Sequence, residues 1–150
     1  MNLAYIAGFV DSEGCIGFSK CRSSVFPRVL ITNTNRSVLE SIKEQFGGDI
    51  KPLALRKEGW KQGYSLRICW SRAVSFLDKI KPWLLIKSLQ AETVFAWDAI
   101  RPRTGKMTNV ARAEYQDAVD LLRARMTWLN KKGENSEIDP IEVFLDRGKK

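Results

Sequence analysis

Two carboxylates end a short helix-patterned stretch near the beginning of the chain. Asp11 and Glu13 follow an apolar run and stand directly before Gly14. Carboxylate oxygens can act as general bases or as ligands of hard divalent cations. The chain contains no histidine, which excludes Ser-His-Asp triads, Cys-His pairs and histidine-based zinc or nuclease sites. Acid–base chemistry must therefore come from carboxylates, lysine, amides or metal-bound water.

The helix that must position these carboxylates has two distinct faces. Apolar residues at helical spacing predict a face that packs on a core, and these are Leu3, Ile6, Ala7 and Val10. A second stripe, which Gly8 keeps small, consists of Tyr5, Gly8 and Ser12. A surface helix usually needs one packing face only. The sequence therefore raises the question of what the second face contacts.

The chain is strongly basic. Its 150 residues include 25 Lys and Arg against 17 Asp and Glu, for a net charge of +8. Such an excess either keeps a protein in solution or attracts a polyanion, because contact with phosphates releases counterions. Charge alone does not separate DNA from RNA. Three cysteines are too few and too irregular for a disulfide framework or a zinc knuckle.

The hydrophobic fraction of 44% suffices for one domain over residues 1–150. No apolar run approaches the roughly 18 residues of a membrane span. The first residues also lack the basic and apolar regions of a signal peptide. We therefore expect an intracellular protein that is not secreted and is not in a membrane.

Periodicity predicts an α+β fold in the order αββαββα, followed by extra C-terminal helices. The strands are predicted over Cys15–Arg22, Arg28–Asn33, Ile50–Lys57 and Tyr64–Trp70, and one helix over Pro82–Ile100. Four antiparallel strands with helices on one face leave the other face bare. The expected bare face comprises Gly17, Ser19, Cys21, Arg28, Leu30, Thr32, Arg56, Ser65, Arg67 and Cys69. The expected inward face comprises Ile16, Phe18, Val29, Ile31, Leu53, Leu55, Leu66 and Ile68.

The stretch Ile6–Gly14, IAGFVDSEG, resembles the nine-residue signature of the LAGLIDADG homing endonucleases. Ala7, Gly8, Asp11 and Gly14 match the signature, and each other position keeps size class or charge, with Glu13 in place of the second aspartate. The predicted αββαββα order is also that of the family, so the resemblance covers about residues 2–100. The signature occurs once. The resemblance therefore implies that one chain supplies half of an active site and works as a symmetric homodimer.

The resemblance explains the second face of the first helix. In the family, two signature helices pack closely across a two-fold axis, which assigns Tyr5, Gly8 and Ser12 to the dimer interface. The implied function is that of an intron-encoded endonuclease, which binds a long pseudo-palindromic site in double-stranded DNA. It would hydrolyse phosphodiesters across the minor groove and leave 3′ overhangs of four nucleotides.

The resemblance also implies the active-site residues. Glu13 and the main-chain carbonyl of Ser12 would bind Mg²⁺, with Mn²⁺ as a substitute. Asn33 would order the water network, Lys87 would stabilise transition-state charge, and Arg36 would add to the basic cluster near the scissile phosphates. Asp11 is assigned to helix termination or to a supporting hydrogen bond. The residues alone allow plainer roles, since Asn33 suits a turn and Lys87 suits a solvated helix surface.

The bare face and its hairpins are expected to contact DNA. Residues predicted to enter the major groove are Ser19, Arg28, Thr32, Arg56 and Arg67, since arginine is well suited to guanine edges. Residues predicted to meet phosphates are Arg22, Lys57 and Lys61, with Trp60 near the sugars. If each half follows about one turn, the dimer covers roughly 20 base pairs at about 10.5 per turn.

Two other functions remain open on the sequence. Some proteins of this fold assist their host intron as RNA maturases. Basic segments outside the sheet would then bind intron RNA, and they include residues 101–106, Lys131–Lys132 and Lys149–Lys150. The second alternative is a DNA-binding regulator that has lost catalysis. Such a protein should lack the metal carboxylate or the lysine, whereas this chain has both Glu13 and Lys87.

Overall fold

The computed structural model describes residues 1–22, 24–55, 57–103, 107–131 and 139–142. The chain forms two compact units, residues 1–91 and 92–150. The elements of the first unit are α1 (Leu3–Glu13), β1 (Gly14–Cys21), β2 (Ser24–Asn33), α2 (Arg36–Phe46), β3 (Asp49–Pro52), β4 (Tyr64–Cys69), α3 (Ser71–Ile80) and a 3₁₀ turn (Lys81–Trp83). Helix α4 (Ser88–Ile100) begins in this unit and ends in the second. The predicted α+β class and element order are confirmed.

The first unit is built on a four-stranded antiparallel sheet with the order β1-β2-β4-β3. Side chains alternate between the two faces of a strand. One face is covered by α1, α2 and α3, and its central residues are fully buried: Ile16, Val29, Ile31, Leu66 and Ile68. These five predicted inward positions are confirmed.

Strand β3 is shorter than predicted, and two inward assignments were wrong. It ends at Pro52, and both Leu53 and Leu55 are exposed. Proline lacks the N–H group that a continuing ladder needs. The ladder closes with a bond from the N–H of Leu53 to the carbonyl of Gly63 at 2.9 Å. The side-chain amide of Gln62 donates to the Leu53 carbonyl at 2.7 Å, so a side chain occupies the carbonyl that a continuing strand would use.

The predicted continuous helix over Pro82–Ile100 was also wrong. After the 3₁₀ turn, residues 84–87 lie outside any helix, and α4 begins only at Ser88. The peptide N–H groups of Leu85 and Lys87 donate instead to the carboxylate of Asp11, at 2.8 Å and 3.0 Å. These bonds replace the helical bonds that the periodicity predicts.

Among its described residues, the second unit contains the end of α4, the long helix α5 (Asn109–Leu129) and residues 139–142. The Thr108 hydroxyl accepts the N–H of Ala111 at 3.2 Å and caps α5. An ion pair between Arg125 and Asp139, at 3.0 Å, fastens residues 139–142 to this helix. Within the described residues, no helix combines the length and the apolar character that a membrane crossing requires.

Gly14 joins α1 directly to β1 and has no room for a side chain. A Cβ atom there would lie 2.6 Å from the Val10 carbonyl oxygen and 2.9 Å from Val10 Cγ1. We expect Gly14→Ala to lower the free energy of unfolding by about 1–3 kcal/mol, measured by urea denaturation. Gly17→Ala is the matched control, because a Cβ at Gly17 meets nothing within 4 Å. Equal stability of the two variants would contradict the expectation.

Candidate active site and nucleic-acid interface

The two carboxylates at the end of α1 have different surroundings. Glu13 is the last helical residue and is exposed, and among the described residues none bonds to its carboxylate. Asp11 is only 8% exposed. Residues two apart in a helix point about 200° apart, so the helix separates the carboxylates. Glu13 is therefore the one available to a ligand.

The structure brings Lys87 to the same helix end. Lys87 Nζ donates to the main-chain carbonyl of Asp11, two residues before Glu13. The Asp11 side chain holds the Lys87 backbone at 3.0 Å. Lys87, 74 positions after Glu13 in the sequence, thus lies at the same end of α1, and the catalytic roles of both residues stay predictions.

Asn33 lies at the end of the sheet where α1 joins β1. Gly14 pairs with Ile31, and Asn33 stands two residues, about 7 Å, farther along β2. Its side-chain oxygen accepts the N–H of Asn35 at 2.8 Å, which is the turn role that the residue type suits. The part of the chain that is described offers no acceptor to Asn33 Nδ2, so this amide group remains free to bond a ligand.

Arg36 is held at this end of the sheet by contacts within the chain. Its Nε donates to Glu40 Oε1 at 2.8 Å, an exposed pair one helical turn apart. Its guanidinium lies 5.4 Å from the centre of the Tyr64 ring, and Tyr64 pairs with Asn33. Arg36 is therefore near Asn33, with part of its hydrogen-bonding capacity already used.

The residues at the end of α1 suit a hard divalent cation. The Glu13 carboxylate bonds to none of the described residues, and the Ser12 carbonyl is among the last four of the helix, which have no partner within it. Both are oxygen ligands of the kind that Mg²⁺ and Mn²⁺ prefer. Among the described residues, no cluster of three Asp, Glu, His or Cys could hold a metal. The remaining ligands would have to be water, phosphate or a second copy of the chain.

The outer face of the sheet carries most of the predicted DNA contacts. Cross-strand rows place Gly17 beside Arg28 and Cys69, Leu30 beside Arg67, and Thr32 beside Ser65. Ser19 pairs with Phe26 on the same face. Arg67 is exposed, whereas the Nε atom of Arg28 is buried and, within the part of the chain that is described, has no hydrogen-bond partner. Burial raises the pKa of the Cys69 thiol despite the opposing charges of Arg67 and Arg28.

The predicted phosphate contacts lie in the connections between strands. Arg22 occupies the β1–β2 turn with a φ of 54°, and Lys57 and Lys61 are exposed between β3 and β4. Arg56 lies outside the described residues. An open pocket of about 480 Å³ adjoins Lys61, and it is lined by Thr34, Leu53, Ala54, Leu55, Trp60, Lys61 and Gly63.

The sequence reasoning missed part of this face. Lys51 pairs with Ser65 and Asp49 with Arg67, so both belong to the outer face. Phe26 and Trp70 stack there, with ring centres 4.2 Å apart and planes inclined by 13°. Counting the alternation from Asp49, directly after the helix-ending Gly47–Gly48 pair, would have placed Lys51 correctly.

The basic charge is concentrated in the unit that holds the sheet. Residues 1–91 contain 14 of the 25 Lys and Arg and 7 of the 17 Asp and Glu, which leaves +7 there and +1 in residues 92–150. The positive potential is therefore a property of the unit with the bare sheet face and the free Glu13 carboxylate.

The comparison with solved structures supports the fold described above. No family model and no curated protein matches the chain. Among solved structures, the homing endonuclease I-CvuI in complex with its target is 22% identical, with a TM-score of 0.67, and the match covers 98% of this chain and 92% of that chain. I-CvuI has been solved in the presence of 2 mM Ca and of 2 mM Mg.

Two further structures extend the comparison. The archaeal intron-encoded homing endonuclease I-Vdi141I, complexed with DNA, is 23% identical with a TM-score of 0.60, and the match covers 98% of this chain and 94% of that chain. The LAGLIDADG meganuclease I-AabMI, bound to uncleaved DNA, is 18% identical with a TM-score of 0.58. That match covers 97% of this chain and 50% of I-AabMI. With its single signature at the end of α1 and its αββαββα order, the chain has the fold of the LAGLIDADG homing endonucleases.

Proposed function

We propose that the chain is a site-specific, metal-dependent DNA endonuclease that acts as a homodimer. The observation that carries this proposal is the meeting of Glu13 and Lys87 at the end of α1. An exposed carboxylate and an ammonium group that contacts the main chain two residues before it, at one end of a basic sheet, suit the hydrolysis of a phosphodiester.

The bare sheet face is the proposed DNA-binding surface. The charge of +7 in residues 1–91 favours a polyanion, because Lys and Arg displace counterions from phosphates. Arg67 and Lys51 project from the face. The buried Nε of Arg28 has no hydrogen-bond partner among the described residues, and a base edge or phosphate that reached it would supply one.

The proposed chemistry divides among the residues at the end of α1. Glu13 and the Ser12 carbonyl would bind the divalent cation, which when bound lowers the pKa of water and neutralises phosphate charge. Lys87 holds a positive charge where negative charge develops on the scissile phosphate. Asn33 Nδ2 is available to orient a water, since the Asn33 oxygen is engaged in its turn.

Gly8 supports the proposed homodimer. A Cβ at Gly8 would meet nothing within 4 Å in the single chain, although glycine in a helix costs about 1 kcal/mol relative to alanine. The single chain therefore gives no packing reason for glycine at this position. Close approach by the α1 helix of a second copy supplies one.

Exposed apolar side chains beside α1 support the same assembly. Tyr5 is 54% exposed and stacks on Phe9, with ring centres 6.1 Å apart. Leu85 and Ile86, which the Asp11 bonds fix near the other end of α1, are 85% and 73% exposed. A second copy that packs along α1 would cover exposed apolar side chains at both ends of this helix. The match to half of I-AabMI is consistent with two copies forming one complete unit.

The ends of the cut DNA test this proposal. The substrate is a duplex selected for cleavage from a randomised library. Two half-sites that meet across the minor groove should leave 3′ overhangs of four nucleotides, read by sequencing both ends. Cutting should require Mg²⁺ or Mn²⁺ and stop in EDTA, while salt-sensitive binding persists because Lys–phosphate and Arg–phosphate contacts need no metal.

Four outcomes would contradict the proposal. Blunt ends or 5′ overhangs would reject the geometry of two half-sites across the minor groove. Undiminished cutting in EDTA would reject the metal. Tight, specific DNA binding without any cleavage would favour a regulator, and preferential binding of intron RNA would favour a maturase.

A further inference from the structure

Asp11 contacts the chain far from its own helix. Its carboxylate is buried, and a buried carboxylate needs hydrogen-bond donors. Asp11 Oδ2 accepts the N–H of Leu85 at 2.8 Å, and Oδ1 accepts the N–H of Lys87 at 3.0 Å. The two oxygens thus bind peptide groups on either side of Ile86. These two bonds fix the backbone of residues 85–87 to α1.

The same residue also binds the far end of the lysine. Lys87 Nζ donates to the Asp11 main-chain carbonyl. Asp11 therefore holds both the backbone and the ammonium group of Lys87. An ammonium group has three N–H donors, so two remain for water or a DNA phosphate while the first is fixed at the helix end.

We infer that Asp11 is a positioning residue, which holds the ammonium group of Lys87 beside Glu13 in the geometry that cleavage requires. This inference rests on the proposed function. The periodicity of residues 82–100 favours a continuous helix, and the Asp11 bonds are what prevents it at 84–87. Without them the Leu85 and Lys87 N–H groups can join helical bonds, and that change would displace the lysine.

A double-mutant cycle tests whether Asp11 acts through Lys87. Asparagine has the size of aspartate, but its NH₂ group cannot accept a hydrogen bond. One of the two bonds to the Leu85 and Lys87 N–H groups is therefore lost. We expect Asp11→Asn to lower the single-turnover cleavage rate of pre-bound duplex about tenfold or more, with DNA affinity changed less than about twofold. In a Lys87→Met background, the same change should lower the rate less than about twofold.

Asp78→Asn is the control variant. It changes an exposed aspartate of α3 in the same unit and should leave the cleavage rate and the DNA affinity as in the unmodified chain. Equal rate losses from Asp11→Asn in both backgrounds would mean that Asp11 only supports folding or acts on Glu13, and would overturn the inference. Absence of cleavage by the unmodified chain would instead reject the proposed function.

Two further measurements decide the case if Asp11→Asn does not fold. Amide hydrogen exchange of the unmodified chain should show protected Leu85 and Lys87 and an unprotected Ile86, an internal control between them. Unprotected Leu85 and Lys87 amides would overturn the inference.

Replacing the Leu85 peptide N–H with an ester oxygen removes its hydrogen bond to Asp11 and leaves every side chain unchanged. Cleavage should then fall at least about threefold with Lys87 present and remain unchanged in Lys87→Met; an unchanged rate with Lys87 present would overturn the inference.

Discussion

Glu13→Gln should reduce DNA cleavage by about a thousandfold or more while DNA binding is retained. The substitution keeps the shape of the side chain but removes the charge that binds the cation, and loss of the bound cation removes both the activated water and the neutralising charge. Glu13 is exposed and bonds to none of the described residues, so the fold should not change. Affinity should stay equal or rise, because a carboxylate near phosphates repels them.

The measurement is single-turnover cleavage of the selected duplex in Mg²⁺, together with the Kd for the same duplex. Glu44→Gln on α2 is the matched control, since it removes an equally exposed carboxylate from another helix. We expect this control to cut at the unmodified rate. Cleavage by Glu13→Gln at that same rate would reject the active-site assignment.

Gly8→Leu should convert the proposed homodimer to a monomer and abolish double-strand cutting. A two-fold axis introduces the leucine twice into one close helix contact, at a cost of about 1–3 kcal/mol each. The dimer Kd should therefore rise about a hundredfold or more. The isolated subunit has room for the side chain and gains helix propensity, so its thermal stability should not fall.

Analytical ultracentrifugation over a range of concentrations measures this change. Ser75→Leu adds the same side chain at an exposed position of α3 and should leave the dimer intact. A Gly8→Leu variant that sediments as the unmodified dimer would place the interface elsewhere on the chain.

Local pattern was sufficient for the parts of the fold whose partners are adjacent in the chain. The alternation in β1 and β2 gave the correct inner face because the two strands pair through a short turn. It failed in β3, where the strand begins at Asp49 and Pro52 ends it after four residues. A shift of one residue there exchanges the two faces: Asp49 and Lys51 lie on the outer face, and Leu53 and Leu55, which were predicted to point inward, are exposed.

The break in the helix after Trp83 could not be predicted from local pattern. Residues 84–87 have helical periodicity, and the group that stops the helix is the Asp11 carboxylate, which is 74 positions from Leu85 in the chain. The signature suggested a supporting hydrogen bond for Asp11, but the partner depends on how α1 and the 3₁₀ turn pack. The position of Lys87 relative to Glu13 follows from the same long-range contact.

Alkylation of the three cysteines can measure whether the outer face of the sheet is covered. Cys15, Cys21 and Cys69 alternate onto the outer face, and Cys15 and Cys21 are exposed. Thiolate is the reactive form, and burial both raises the pKa of Cys69 and limits access to it, so we expect Cys69 to alkylate slowly at neutral pH. A duplex lying on this face shields all three at once. The native protein therefore reports occupancy of the sheet by mass spectrometry after a brief alkylation, with no label introduced.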